Sequence, residues 1–259
     1  MVGHLPLEQS ILVRVQIPQQ KMQLISLNTW GGRIHQPLVD FLEKYRDETD
    51  IFCFQEVYDN PEKLLGDDTE SRKNLFSELK EVLHNHVGYF SSQVPGIGMA
   101  MFVRKSVTVA GISETLILAT EEMAEKFIPR VLQHVRLSDP SMNIYNFHGV
   151  PKSEKLDTPE RKIQSDRILE AMSKDATPKI LVGDFNLRPT TECLKAFEKE
   201  MNNLVMEKGF ATTRSSFYKY AAVQPFADYI FTSGIAVKDF RVLPEEISDH
   251  LPLLLSFEQ

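Results

Sequence analysis

The sequence predicts an α/β chain in which two β-sheets pack together with helices outside, and three observations carry that reading. Short apolar runs such as "IFCFQE" (51–56), "KILVGDFN" (179–186) and "LPLLLSF" (251–257) have the length and content of strands buried on both faces. Segments with apolar residues at helical spacing alternate with these runs. Between Gly88 and Phe147 the chain becomes a succession of strands separated by Gly, Pro and charged turns. Interleaved strands and helices bury their apolar faces most simply as stacked layers.

Taken in order, "MQLISLN" (22–28) alternates and then turns polar, a strand running into a loop. "QPLVDFLEKY" follows as a helix and "IFCFQE" as a central strand. "SRKNLFSELKEVL" sets Leu75, Leu79, Val82 and Leu83 on one helical face. The strands "GMAMFV", "VTVAGISETLIL", "RVLQHVRL" and "NIYNFH" come next. "DTPERKIQSDRILEAMSK" is a helix capped by Thr158, with Pro159 in its first turn and Ile163, Ile168 and Leu169 inward. "KILVGDFN" is a buried strand, "TECLKAFEKEMNNLV" an amphipathic helix, and "FADYIFTS", "AVKDFRVL" and "LPLLLSF" are the closing strands.

With no repeat, low-complexity tract or linker to divide them, 259 residues read as one domain over 22–259, preceded by an extension or edge strand over 1–21. Lys plus Arg is 29 against 36 Asp plus Glu, a net charge of −7, so an extended basic footprint for nucleic acid is absent from the bulk charge. A locally basic groove is compatible with that total. No apolar run approaches the ~18 residues of a membrane span. The N-terminal stretch holds Arg14 inside its apolar patch, which is poor for a signal peptide, and Cys53 and Cys193 are isolated from each other. A reducing, cytoplasmic setting is the expectation.

Polar residues gather at strand ends. "LISLN" ends in Asn28, "IFCFQE" in Glu56, "NIYNFH" in His148, and "KILVGDFN" in Asp184 and Asn186. Asp228 and the pair Asp249-His250 stand at or just before the start of apolar strands. One strand's end neighbours the next strand's beginning in an antiparallel sheet, so these positions can share one concave rim. Singly, each has a structural reading: Asn28 as a turn residue, His148 as a core histidine, "GDFN" and "SDH" as capped turns, Asp228 as a partner for a lysine. Jointly they supply what metal-assisted phosphoester hydrolysis needs. Oxygen donors suit Mg²⁺, a carboxylate orients or deprotonates water, and imidazoles stabilise the phosphoryl oxygens. A carboxylate behind an imidazole fixes its tautomer.

The ordered series "LNTWGG", "FQEV", "NFHGV", "VGDFNLRP", "DYIF" and "SDHLP" resembles the endonuclease/exonuclease/phosphatase superfamily, the deoxyribonuclease-I-like proteins, from about Met22 to Phe257. The resemblance implies a four-layer αββα sandwich with two mixed sheets face to face, and hydrolysis at phosphorus without a covalent enzyme intermediate. It implies Mg²⁺, with Mn²⁺ as a substitute, held by Glu56 with Asn28 beside it and Asp249 at the metal end. It implies Asp184 as the residue that orients or activates water, Asn186 on a phosphate oxygen, and His148 on the scissile phosphate. It further implies His250 as a second phosphate-facing imidazole with Asp228 behind it. Which of Asp184 and His250 removes the water proton stays open. A phosphoester is the expected partner, cut by a phosphodiesterase or nuclease-type enzyme. A small phosphoester such as a phospholipid headgroup or a sugar or inositol phosphate is the alternative, and an idle phosphate-binding scaffold is a third reading.

Trp30 occupies the place where some nuclease branches carry a metal-binding Asp, and Tyr58 replaces an arginine found near DNA in some nucleases. "LNTWGG" is closer to sphingomyelinase-like and uncharacterised bacterial forms. Arg188 in "NLRP" reads as a surface arginine or a substrate contact. Arg161 and Gln164 read as structural. His84 and His86 lack a Cys or acid at zinc spacing, and Glu121, Glu122 and Glu125 read as a solvated face. Trp30, Tyr89 and Phe90 suit either stacking on a ligand or core packing. Specificity is expected from the loops around 57–72, 91–98, 119–128, 150–158 and 211–224.

Overall fold

Apolar residues on both faces of a strand require a partner layer on each side, and the fold supplies both. A computed structural model describes residues 21–64 and 68–258. Residues 1–20, read above as most of an N-terminal extension, lie outside the described residues, and Lys21 already belongs to the first strand. In chain order the elements are β1 (Lys21–Asn28), α1 (His35–Tyr45), β2 (Ile51–Tyr58), α2 (Leu75–Val82), β3 (His86–Val94), β4 (Ile97–Arg104), β5 (Thr108–Leu118), β6 (Arg130–Asp139) and β7 (Ser141–His148). Then come α3 (Pro159–Ser173), β8 (Lys179–Asp184), α4 (Glu192–Glu198), β9 (Asn202–Asn203), α5 (Leu204–Glu207), β10 (Asp228–Ser233), β11 (Ala236–Val242) and β12 (Leu253–Glu258).

The strands form two six-stranded mixed sheets, ordered β11-β12-β1-β2-β4-β3 and β5-β6-β7-β8-β10-β9, in an αββα sandwich. Strand alternation divides the first sheet's residues between two layers. Met22, Leu24, Ile51, Cys53, Leu253 and Leu255 join the cluster shared with the second sheet. Ile25, Leu27, Phe52, Phe54 and Leu254 turn to Leu38, Phe41, Leu75 and Leu79 of α1 and α2. Ile168 and Met172 of α3 and Leu194 and Phe197 of α4 belong to the same cluster as the second sheet.

Each sheet contains one parallel pair joined by a helical crossover: β1-α1-β2 with Asn28 opposite Gln55, and β7-α3-β8 with His148 opposite Asp184. Parallel strands end at the same edge, so the carboxyl ends of four strands present polar residues together. β10 runs antiparallel to β8 and sets Asp228 opposite Asp184. β12 runs antiparallel to β1, bringing the segment before Leu253 to the same rim. Beneath it, buried amides tie the sheets. Gln55 Nε2 donates to Asn146 Oδ1 at 2.6 Å, Asn146 Nδ2 to Gln133 Oε1 at 3.1 Å, and Gln133 Nε2 to the Tyr89 carbonyl at 2.8 Å.

Three details differ from the expectations. The run "HVGYFSSQV" forms β3, an edge strand whose mixed burial hides its period; His86 starts it, with Nε2 2.9 Å from the Thr49 carbonyl, while His84, before it, is exposed. The expected helix over 191–205 breaks at Asn202-Asn203, where Asn203 caps α5 by accepting from Met206 N at 3.4 Å. Helix α3 turns Arg161, Gln164, Ile168 and Met172 inward, leaving Ile163 exposed off that stripe. Thr158 does cap α3, its Oγ1 accepting from Arg161 N at 3.3 Å.

Candidate active site

The backbone at the rim is unusual at three polar or aromatic positions. Trp30, Glu56 and Asn186 have positive φ values of 51°, 55° and 55°, in the left-handed region that costs a side-chain-bearing residue energy. Glu56 lies where the β2–β4 register shifts between Phe54 and Val57. Glycine is needed at two neighbouring places. A Cβ on Gly183 would lie 1.9 Å from the Phe147 carbonyl oxygen, and one on Gly149 would lie 2.4 Å from that of Phe185.

The carboxylates, amides and imidazoles meet. Asn28 Nδ2 donates to Glu56 Oε1 at 3.0 Å and to Asp184 Oδ2 at 3.1 Å. Its Oδ1 accepts from Trp30 N at 3.0 Å, so Asn28 faces the acids as a donor; to offer them an oxygen the amide would turn over. His148 Nε2 lies 3.7 Å from Glu56 Oε1 and 3.8 Å from Asp184 Oδ2. His250 Nε2 lies 3.6 Å from Asp184 Oδ2 and 3.6 Å from Asp249 Oδ1. Its Nδ1 is 2.8 Å from both oxygens of Asp228, which also accepts from Thr213 Oγ1 at 3.1 Å. Asn186 N donates to Asp184 Oδ1 at 2.8 Å.

Two triads have ligand atoms close enough to share a cation: Glu56, His148 and Asp184, and Asp184, Asp228 and His250. Burial raises the Glu56 carboxyl above its ordinary range, and the charges of Asp249 and Asp184 add to that. Such crowding of oxygen donors is what a hard divalent cation relieves, so the donor set fits Mg²⁺ or Mn²⁺. Burial also pushes Asp184 up, but His250, Arg214, His148 and Lys155 outweigh it and hold the carboxyl well below the usual range. Burial, helped by the Arg130 charge, lowers His148 to about 3, so its ring is neutral at pH 7.

Three buried cations that sequence reading missed frame this cluster. Lys155 Nζ contacts Asn186 Oδ1. Arg214 Nη1 contacts His250 Nε2, lies 3.6 Å from Asp249 Oδ2, and its guanidinium stacks 4.0 Å from the Tyr218 ring centroid. Arg214 faces Nε2 and Asp228 faces Nδ1, so the side of the ring toward Asp228 is the one that holds a proton. Burial and Arg214 lower its proton affinity; Asp228, Asp249 and Asp184 overcome both and raise it. Arg130 lines a cleft of about 600 Å³ with Trp30, Arg33, Glu56, Phe127 and His148. None of the three cations falls in a recognisable motif; only the start of an apolar strand at Arg130 hinted at burial.

Arg188 stands apart from the acids, lining a neighbouring cavity of about 370 Å³ with Lys155, Tyr218 and Tyr220. Arg161 and Gln164 hold the loop between. Arg161 donates to the carbonyls of Leu156 at 2.6 Å and of Val150 and Lys152 at 3.0 Å, and Gln164 Oε1 accepts from Val150 N at 3.0 Å. Trp30 lines the cleft, whereas Tyr89 and Phe90 pack against the core clusters.

Comparison with known proteins starts with a match of residues 25–250 to the model of the endonuclease/exonuclease/phosphatase family. The chain belongs to that family. A family protein from Bacteroides thetaiotaomicron superposes with a TM-score of 0.72 at 20% identity, covering 93% of this chain and 99% of the other. A mannosyl-6-phosphatase from Bacteroides thetaiotaomicron VPI-5482 gives 0.70 at 20% identity over 91% and 99%. A humanized TDP2 of D. rerio gives 0.68 at 17% over 92% and 99%. At these identities the likeness is one of fold. A UPF0294 protein of Klebsiella pneumoniae (strain 342) is 31% identical over 116 residues, 44% of this chain and 41% of that protein, less than half of its length. Among the described residues no helix is long and apolar enough to cross a membrane.

Proposed function

We propose that this protein is a divalent-metal-dependent phosphoester hydrolase. The observation that carries the reading is the meeting of Glu56, His148, Asp184 and His250 within a few ångströms, from three strand ends and the segment that leads into β12. Glu56 would hold the cation, with Asp249 at the same end and Asn28 fixing the Glu56 and Asp184 carboxylates in place. A bound Mg²⁺ or Mn²⁺ would screen the phosphate and favour ionisation of water.

The remaining work falls to this chain's own groups. Asp184 stays ionised and orients the attacking water. The water proton passes to His250 Nε2, 3.6 Å from Asp184 Oδ2, as Arg214 turns from the ring to the phosphate. Asp228 holds the His250 tautomer from behind. Neutral His148 donates an N–H to a phosphoryl oxygen, and Asn186 donates its side-chain amide to another. The water oxygen bonds to phosphorus as the bond to the ester oxygen breaks, and the leaving alcohol oxygen keeps that electron pair and takes a proton from solvent water.

The sequence alone favoured a phosphodiesterase or nuclease over a small-phosphoester hydrolase. The room that the cleft beside Trp30 and Arg33 leaves for a group beyond the phosphate suits the former, and the net charge of −7 the latter. Incubation with Mg²⁺, with and without chelator, against plasmid, single-stranded DNA, sphingomyelin and p-nitrophenyl esters of phosphate tests the reading. Chelator-sensitive release of any product supports it; none from any of them removes it.

A further inference from the structure

Charges buried in a protein are normally met by a counter-charge, because desolvating an unpaired one costs several kcal/mol. Arg130, Lys155 and Arg214 are 2%, 7% and 4% exposed; among the described residues the one carboxylate paired with them is Asp249, 3.6 Å from Arg214 Nη1, too far for a hydrogen bond. Lys155 rests on the Asn186 amide. Arg214 rests on the His250 ring and leaves its Nε without a partner. Arg130 has no partner at Nε or Nη1 and faces the cleft beside Glu56 and His148. The acids of the site have other roles: Asp228 is taken up by His250, and Glu56 with its neighbours forms the candidate cation site. Three cations therefore crowd the site with donors, Arg130 Nε and Nη1 and Arg214 Nε among them, that groups of the described residues leave unmet.

The flank beyond Asn186 is also bridged between two loops. Tyr218 Oη donates to Gln224 Oε1 at 2.7 Å, and Gln224 Nε2 donates to the Ser153 carbonyl at 2.6 Å. Loop 215–224 is thereby tied to loop 150–156 along the wall of the cavity that holds Lys155 and Arg188.

We propose that the site takes a terminal phosphate, the monoester of a small alcohol, with Lys155 and Arg214 binding its non-bridging oxygens and Arg130 adding charge from the cleft. A diester presents two non-bridging oxygens sharing one charge; a monoester presents three and carries close to two charges at neutral pH. The inference rests on the phosphoester-hydrolase reading for turnover. In that turnover, water oxygen bonds to phosphorus and the phosphorus–ester bond breaks with its electron pair on the alcohol oxygen. The alcohol takes a proton from solvent water, the proton of the attacking water goes to His250, and inorganic phosphate leaves.

Two measurements test it, with Mg²⁺ present. Isothermal titration compares monomethyl with dimethyl phosphate on wild type, Arg214→Gln, Arg214→Lys and Lys155→Gln. Kinetics compares p-nitrophenyl phosphate with methyl p-nitrophenyl phosphate, which share a leaving group. Wild type is expected to bind the monoester at least ~10-fold tighter, and Arg214→Gln and Lys155→Gln to bring the ratio toward parity while Arg214→Lys keeps most of it. The same two losses are expected to lower kcat/KM for the monoester by ~100-fold and for the diester by less than ~10-fold. Equal binding of both phosphates by wild type, or equal losses on both esters, overturns the proposal. Monoester-selective binding that depends on Arg214 and Lys155, with no hydrolysis of either ester, sustains the anion site and removes only the hydrolase reading.

Discussion

The Nδ1 nitrogen of His250 lies 2.8 Å from both carboxylate oxygens of Asp228, and both residues are buried. The carboxylate thus fixes which ring nitrogen carries the proton. Asp228→Asn keeps the shape but lets the amide oxygen or nitrogen face the ring, so the tautomer is no longer enforced. A fall in kcat of about 100-fold or more is expected, with KM changed far less. Steady-state kinetics beside a thermal melt checks it; an unchanged kcat in a folded variant would separate Asp228 from the chemistry.

His148 links the site to acid stability. Its folded pKa is about 3 against an ordinary value of 6.5, so the unfolded chain binds more protons between those limits. Stability should therefore rise with pH from about 3 to 6.5, at up to ~1.4 kcal/mol per unit from this residue. Denaturant titrations at several pH values on wild type and His148→Gln read the difference. The variant should show a shallower slope in that window, and parallel curves would contradict the neutral ring.

Asn146 joins the two sheets below the site by bonding Gln55, the Phe54 carbonyl and Gln133. Asn146→Ala leaves several buried polar groups unmet, each worth ~1–3 kcal/mol. A loss of at least ~2 kcal/mol in equilibrium unfolding is expected, and a loss below ~0.5 kcal/mol would show that water replaces the amide.

Gly183 should not tolerate a side chain. At φ 143° its Cβ would overlap the Phe147 carbonyl oxygen at 1.9 Å, in the β7–β8 pair that carries His148 and Asp184. Gly183→Ala is expected to cost more than ~2 kcal/mol and to lower turnover by misplacing both residues. Wild-type melting and activity would show that the strands separate without harm.

Much of this was legible in the residues. Wholly apolar runs such as Ile51–Phe54 announced strands covered on both faces, and the polar residues closing them announced a shared rim. The structure brings Asn28, Glu56, His148, Asp184, Asn186, Asp228, Asp249 and His250 to that rim. What stayed hidden was burial without pattern. Arg214 and Lys155 sit in loops whose composition suggests solvent, and they are enclosed only because tertiary neighbours close over them. Strand β3 lay in a stretch read as strand from Gly88, but its bounds were not legible because an edge strand does not need the alternation that a central strand needs. Ile163 was misjudged because Arg161 and Gln164, both polar, take the inner face of α3 to hold the 150–156 loop.

The most direct measurement is the initial rate of p-nitrophenyl phosphate and methyl p-nitrophenyl phosphate hydrolysis by metal-stripped protein, before and after adding Mg²⁺, for wild type, Glu56→Gln and His250→Ala. The expected result is a rate in wild type that appears with Mg²⁺, vanishes with chelator, and falls at least ~100-fold in each folded variant. A rate indifferent to Mg²⁺, or one that survives both substitutions, would contradict a cation-bearing hydrolytic site at this rim.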